Sequence, residues 1–227
     1  MKINNEFVKG EVKEILPKIF ALSIKDRYQR AMLFCRYQEF YESPYNEIRG
    51  KEFSWEKFML LYKQKNKEQI FTYPKDWSGF NIPSKIIEKG LSAFSFRTWG
   101  PYDRIMSDIW YHCENYPLRS EKPRTKWYLI GADNFKSNTM DHEIAHGLFY
   151  TNSKYKSNCL ELIKEIKSPQ YNKMKKTLVS MGYHNDEKII NDEIQAYMST
   201  GLINKFDVSS LKKYQNKFIE NFKNFKK

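Results

Sequence analysis

The chain has 227 residues, with 39 Lys and Arg against 27 Asp and Glu, a net charge of +12. Hydrophobic residues make up 41% and aromatic residues 16%, enough for one sizeable core, or one domain with an appended lobe. The mean hydropathy is −0.75, and no apolar run approaches the roughly 18 residues of a membrane span, which argues against a membrane-spanning helix.

Met1-Lys2-Ile3-Asn4-Asn5-Glu6 is not followed by an apolar signal core. The expectation is a chain that is cytoplasmic where it is made, with export by a route lacking a cleaved signal left open. The three cysteines, Cys35, Cys113 and Cys159, are odd in number and widely spaced. They argue against a disulfide framework and against a thiolate zinc site, and read as buried thiols.

Residues 1–20 read as a weakly patterned helix interrupted by Pro17. Ser23 is a candidate cap for a helix to about Tyr41, on which Ile24, Tyr28, Ala31, Met32 and Cys35 recur at helical period. Ser54 caps a further helix through about Lys63, with Trp55, Phe58, Met59 and Tyr62 inward. From Phe71 to Pro83 the turn signals predict a loop, followed by a short helix ending at Gly90. A soft boundary near this point gives a helical N-terminal region, 1–90, and a second domain, 91–227.

Leu91 to Trp99 alternates imperfectly, as a strand does, and Tyr102 to Cys113 has helical spacing through Ile105, Ile109 and Trp110. His112 lies in that helix without a second ligand one turn away. Arg119 to Arg124 is a charged connector, and Lys126 to Ala132 reads as an aromatic and β-branched strand.

Directly after it comes Thr139-Met140-Asp141-His142-Glu143-Ile144-Ala145-His146, an H-E-x-x-H motif. On a helix, His142 and His146 share one face and can offer both imidazoles to one metal ion. Glu143 is turned about 100° away, which suits a base beside the metal rather than a ligand. Met140, Ile144 and Leu148 recur on the opposite side, the stripe that an amphipathic helix buries. Ser137, Asn138 or Thr139 is the candidate cap, and Asp141 is a helix-start acid or a partner that orients a histidine.

Further helices follow at about Asn158–Lys167 and Tyr171–Met181, the second ending on Gly182. Another is capped by Asn185 and stopped at Gly201. A last one is capped by Asp207 and carries the stripe Leu211, Tyr214, Phe218, Phe222 and Phe225.

Two histidines do not hold a catalytic zinc, which takes three protein ligands and an open position. Position 152 is Asn152, so the short-spaced third histidine is missing. In the helix Asp186 to Thr200, Ile189 and Ile190 lie one turn before Glu193, and Ala196 and Tyr197 one turn after. Glu193 therefore falls in the middle of the apolar face, where a lone carboxylate is costly to bury. Metal ligation, hydrogen bonding or pairing with a buried cation accounts for it there. Asp192 and Glu187 fall towards the flank or solvent; they and His184 stay as alternative ligands.

His142-Glu143-x-x-His146 followed by Glu193 in Asn191-Asp192-Glu193-Ile194-Gln195-Ala196-Tyr197 resembles the gluzincin branch of the zincin metallopeptidases. Ala196 three residues after the glutamate is distantly similar to lethal-factor-like zincins. The resemblance covers roughly residues 125–200 and implies an α+β, predominantly helical fold. It implies a zincin-like catalytic domain over 91–227, with a small sheet next to the motif helix. It also implies that the strand Lys126 to Ala132 pairs with extended substrate. The activity implied is zinc-dependent hydrolysis of peptide bonds in a protein or peptide substrate, with Zn2+ on His142, His146 and Glu193 and Glu143 as general base. A donor to the developing oxyanion is expected from Tyr183 or His184, with Tyr150 and Tyr197 as further candidates. Where some gluzincins carry Asp four residues after the ligand glutamate, this chain has Tyr197.

Two other readings stand beside this one. Lys164 to Lys176 and Lys212 to Lys227 are lysine-rich with interleaved aromatics, a nucleic-acid-binding pattern, although the last helix places its aromatics on the core stripe. The other is a non-catalytic zincin-fold interaction module, against which Glu143 argues, since a structural site has no use for that base.

Overall fold

Ile19–Ser23 and Tyr128–Ala132, apolar runs far apart in sequence, pair in parallel at the centre of a mixed sheet. The computed structural model describes residues 1–67, 69–77, 79–116, 126–135, 138–201, 206 and 211–227, the backbone alone at 138 and 139. The described chain is α+β and predominantly helical, with one five-stranded sheet. It divides into two compact units, Met1–Met140 and Asp141–Lys227. Residues 1–90 contain four of the five strands and belong with residues 91–140 in the first unit.

In the first unit the strands are β1 (Lys2–Asn4), β2 (Lys9–Leu16), β3 (Ile19–Ser23), β4 (Phe80–Pro83) and β5 (Tyr128–Ala132), in the order β1-β2-β3-β5-β4. The helix expected over residues 1–20 is thus replaced by strands. Val12, opposite Leu22, and Ile3, opposite Gly10, turn inward, while Lys and Glu cover the other face. Pro17 marks a hairpin turn, not a helix break: Leu16 pairs with Ile19, and Lys18 takes φ +67°, its N–H donating to Glu14 Oε1 at 2.8 Å. Pairing with β3 overrides a weak helical preference here.

β5 is bonded on both sides, parallel to β3 and antiparallel to β4, and all five of its residues are buried. It therefore has no edge to offer an extended substrate; the outer strands are β1 and β4.

The helices of this unit are α1 (Arg27–Glu42), α2 (Trp55–Asn66), α3 (Tyr73–Asp76), α4 (Ser84–Ala93) and α5 (Pro101–Glu114). Asp26, not Ser23, caps α1, accepting from Gln29 N at 2.9 Å, because Ser23 is spent as the last residue of β3. Ser54 caps α2. The strand expected over Leu91 to Trp99 is instead the end of α4 and a 3-10 turn at Phe96–Thr98. Phe34 of α1 lies over Gly131 of β5 and stacks on Phe80 of β4, with centroids 5.4 Å apart. A buried ion pair, Arg36 to Asp103 at 2.7 Å, ties α1 to the start of α5.

The second unit holds α6 (Asn138–Thr151) beyond its first residues, α7 (Ser153–Lys164), α8 (Ser168–Ser180), α9 (Glu187–Thr200) and α10 (Lys212–Phe225). Each helix buries residues spaced by four: Tyr155, Cys159 and Ile163; Met174 and Leu178; Ile190 and Ile194; Tyr214, Phe218 and Phe222. Asn152 caps α7, and Asp186, one residue after the expected Asn185, caps α9. Gly201 ends α9 at φ +81°. The candidate caps Ser137 and Asp207, the side chains of Asn138 and Thr139, and the connector Arg119 to Arg124 lie outside what is described. No described helix is long and apolar enough to cross a membrane. The three cysteines are free and buried.

Two substitutions test the first unit, and all five tryptophans lie within it, so tryptophan fluorescence reports on it alone. A Cβ at Gly131 would come within 2.5 Å of the Phe34 ring. Gly131→Ala is expected to lower its stability by about 1–3 kcal/mol in urea unfolding. Burial raises the pKa of Glu39 to about 7, against the opposing hydrogen bonds of Ser43 and Tyr73. A carboxyl that holds its proton more tightly when folded destabilises as pH rises from its unfolded value, near 4.5, through 7. Glu39→Gln is therefore expected to stabilise the unit by up to about 3 kcal/mol at pH 8 and by almost nothing below pH 4.5.

Candidate metal centre

The motif helix α6 is buried from Glu143 through Phe149, and α9 from Glu193 through Ser199. Helices buried this completely have little water to solvate a polar side chain, so His146, Glu143 and Glu193 depend on one another. His146 is 3% exposed, Glu143 6% and Glu193 8%.

His142, His146 and Glu193 each turn one donor atom to a common point, all within 4.8 Å of one another. The two Nε2 atoms are 3.3 Å apart. Glu193 Oε2 is 3.8 Å from His142 Nε2, and Oε1 is 3.6 Å from His146 Nε2. With metal–ligand bonds of about 2.0–2.1 Å, a tetrahedral site sets neighbouring donors about 3.3 Å apart. The two carboxylate contacts use different oxygens of Glu193, and with one donor per residue the separations reach up to 4.8 Å, so the Glu193 carboxylate must swing one oxygen inward to complete the face for a divalent cation. Two imidazoles and a carboxylate suit zinc, and the same set serves non-haem iron, whereas calcium and magnesium prefer oxygen donors. Among the described residues this is the single group of His, Cys, Asp and Glu side chains with such a geometry. Glu187, Asp192 and His184, the alternative ligands, lie outside it.

Asp192 has a different place. Its Oδ1 is 2.8 Å from Nδ1 of His146. A carboxylate there keeps a proton on Nδ1 and leaves the Nε2 lone pair for a metal, the usual arrangement behind a ligating histidine. Helical projection sends Asp192 to the flank, and the flank of α9 is where the far side of His146 lies. The clue in the sequence was adjacency: ligand glutamate and orienting aspartate are consecutive. Asp141, the other candidate for that role, instead pairs with Lys226 near the C-terminus.

Burial opposes charge on His146, but Asp192, then Glu193 and Glu143, raise its pKa to about 10. The cluster of acids thus holds a proton where a metal ion would otherwise balance them.

Of the candidate oxyanion donors, Tyr183 and Tyr197 come together, their hydroxyls 3.3 Å apart. Burial, then the charge of Glu193, drives the Tyr183 pKa far up, so it stays a neutral donor. The Tyr197 ring meets His142 edge-on, with centroids 4.7 Å apart. Gly182, at φ +99°, turns the chain between α8 and Tyr183. His184 is half-buried, and its carbonyl accepts from Asp186 N at 2.8 Å. In α10 the aromatics Tyr214, Phe218 and Phe222 are buried and Phe225 is half-buried, so the exposed lysines stand beside little aromatic surface.

Comparison with protein-family models, with curated proteins and with solved structures finds no match to this chain.

Because His146 carries its proton up to about pH 10 without metal, metal uptake must release it. Apparent zinc affinity is expected to rise by about tenfold per pH unit between pH 6 and 9, with at least one proton released, as calorimetry in buffers of different ionisation heat measures. Asp192→Asn is expected to weaken zinc binding about 10- to 100-fold.

Proposed function

We propose that the chain is a zinc-dependent metallopeptidase of the gluzincin kind, acting on a protein or peptide. The observation that carries this reading is the convergence of His142, His146 and Glu193 within 4.8 Å, with Glu143 on the same helix as the two histidines. A zinc ion bound there supplies a Lewis acid that polarises a carbonyl and lowers the pKa of water towards neutral. Glu143 takes the proton of the attacking water on its carboxylate and delivers it to the nitrogen of the leaving amine. Asp192 holds the proton on Nδ1 of His146 and keeps that ring in register. Tyr183 donates a hydrogen bond from its neutral hydroxyl to the oxyanion as it forms. Tyr183 is preferred to His184 for that role because its hydroxyl meets that of Tyr197, whose ring packs on His142.

The donor set alone also fits an iron oxygenase. Glu143 favours hydrolysis: a buried carboxylate one position from a ligand has a task as a base in hydrolysis and none in oxygen activation.

Metal content by mass spectrometry and cleavage of a peptide library test the reading. Glu143→Gln is expected to keep about one zinc and lose peptidase activity by at least about 10³-fold; His142→Ala is expected to lose the zinc. Tyr183→Phe is expected to lower kcat about 100-fold with KM and metal content little changed. Full activity in Glu143→Gln excludes the mechanism.

A further inference from the structure

The hydrogen bonds behind His146 continue past Asp192. Gln195, one turn along α9, donates from Nε2 to Asp192 Oδ1 at 2.9 Å, the oxygen that faces His146 Nδ1. Gln195 Oε1 accepts from the Tyr155 hydroxyl at 2.8 Å, and that hydroxyl is 3.1 Å from Ser199 Oγ. Gln195 and Tyr155 are 0% exposed. An ionised carboxylate only accepts, so the Gln195 amide has one orientation: NH2 towards Asp192, carbonyl towards Tyr155. Tyr155 is itself held by ring contacts with Phe222 and Phe225 of α10, at 6.5 and 5.5 Å.

We propose that Gln195, anchored by Tyr155, is a positioning residue for the metal centre. It holds Asp192 Oδ1 against Nδ1 of His146 and thereby fixes the ring orientation and tautomer that present Nε2. The inference rests on the metal-site reading above. The Asp192 side chain is 28% exposed, so without a fixed donor it is free to turn towards water. A buried amide aimed at the shared oxygen removes that freedom, through a hydrogen bond strengthened by the carboxylate's charge. Packing alone does not call for a glutamine here. An apolar side chain of the same length fills the space without the cost of burying an amide.

Gln195→Met tests this. Met matches the length and lacks the donor, Tyr155 keeps Ser199 as a partner, and Asp192 is near enough to solvent to gain a water. The fold is expected to survive, as circular dichroism checks. Two quantities are read: the zinc Kd by chelator competition, and, in metal-free protein, the exchange of the His146 Nδ1 proton with water by ¹⁵N-histidine NMR. Gln195→Met is expected to bind zinc about tenfold more weakly, with a faster-exchanging Nδ1 proton. Tyr155→Phe is expected to shift both in the same direction by less, and the double variant to be no weaker than Gln195→Met alone. A folded Gln195→Met with both quantities unchanged overturns the proposal, since a purely structural glutamine would move the melting temperature and neither of these. If Gln195→Met fails to fold, unchanged values in Tyr155→Phe overturn it. Wild-type protein that takes up no zinc overturns the metal reading instead, and the proton exchange still decides whether Gln195 holds Asp192 on His146.

Discussion

A buried carboxylate, Glu193, set against two imidazoles from another helix is the constraint from which the second unit can be understood. Charge removed from water must be compensated locally. Here Glu193, Asp192 and Glu143 all act on His146 and raise its affinity for a proton. The proton they hold on His146 balances part of that charge. The same requirement fixes the register of α6 and α9, because one turn of slippage would separate the acids from the rings.

The apolar stripes of α7, α8 and α10 pack against α9, and Glu193 is buried on that helix. The packing is not apolar throughout. Tyr155, Gln195, Ser199 and Cys159 form a buried polar group whose hydrogen bonds lead back to Asp192. Buried networks of this kind are stable only when every member is satisfied. That demand makes the group a rigid backing for the histidine rather than a set of independent contacts.

The support of the histidines departs from the pattern to which the motif is similar. The position four residues after Glu193 carries Tyr197, whose ring packs edge-on against His142. The orienting carboxylate comes from the residue before the glutamate, Asp192, and serves His146. One histidine is thus steadied by an aromatic contact and the other by a charged hydrogen bond. The hydroxyl of Tyr197 also reaches Tyr183, so one side chain touches both a candidate ligand and a candidate oxyanion donor.

Local signals in the sequence were enough for the helices of the second unit, the pairing of His142 with His146 on one face, and the burial of Glu193. Each follows from a period of 3.6 residues and from the cost of placing charge on an apolar stripe. They were not enough for Asp192. A flank position on a helix reads as solvated until a second helix is known to cover it, and which helix does so is a long-range fact. The strands of residues 1–23 were hidden for the same reason. Lys9 to Leu16 has little β signal of its own, and its conformation is set by β3, which in turn pairs with β5 more than a hundred residues away. Periodicity shows which side of an element is buried; tertiary structure decided what it is buried against, because strand partners and hydrogen-bond partners are chosen by the whole chain.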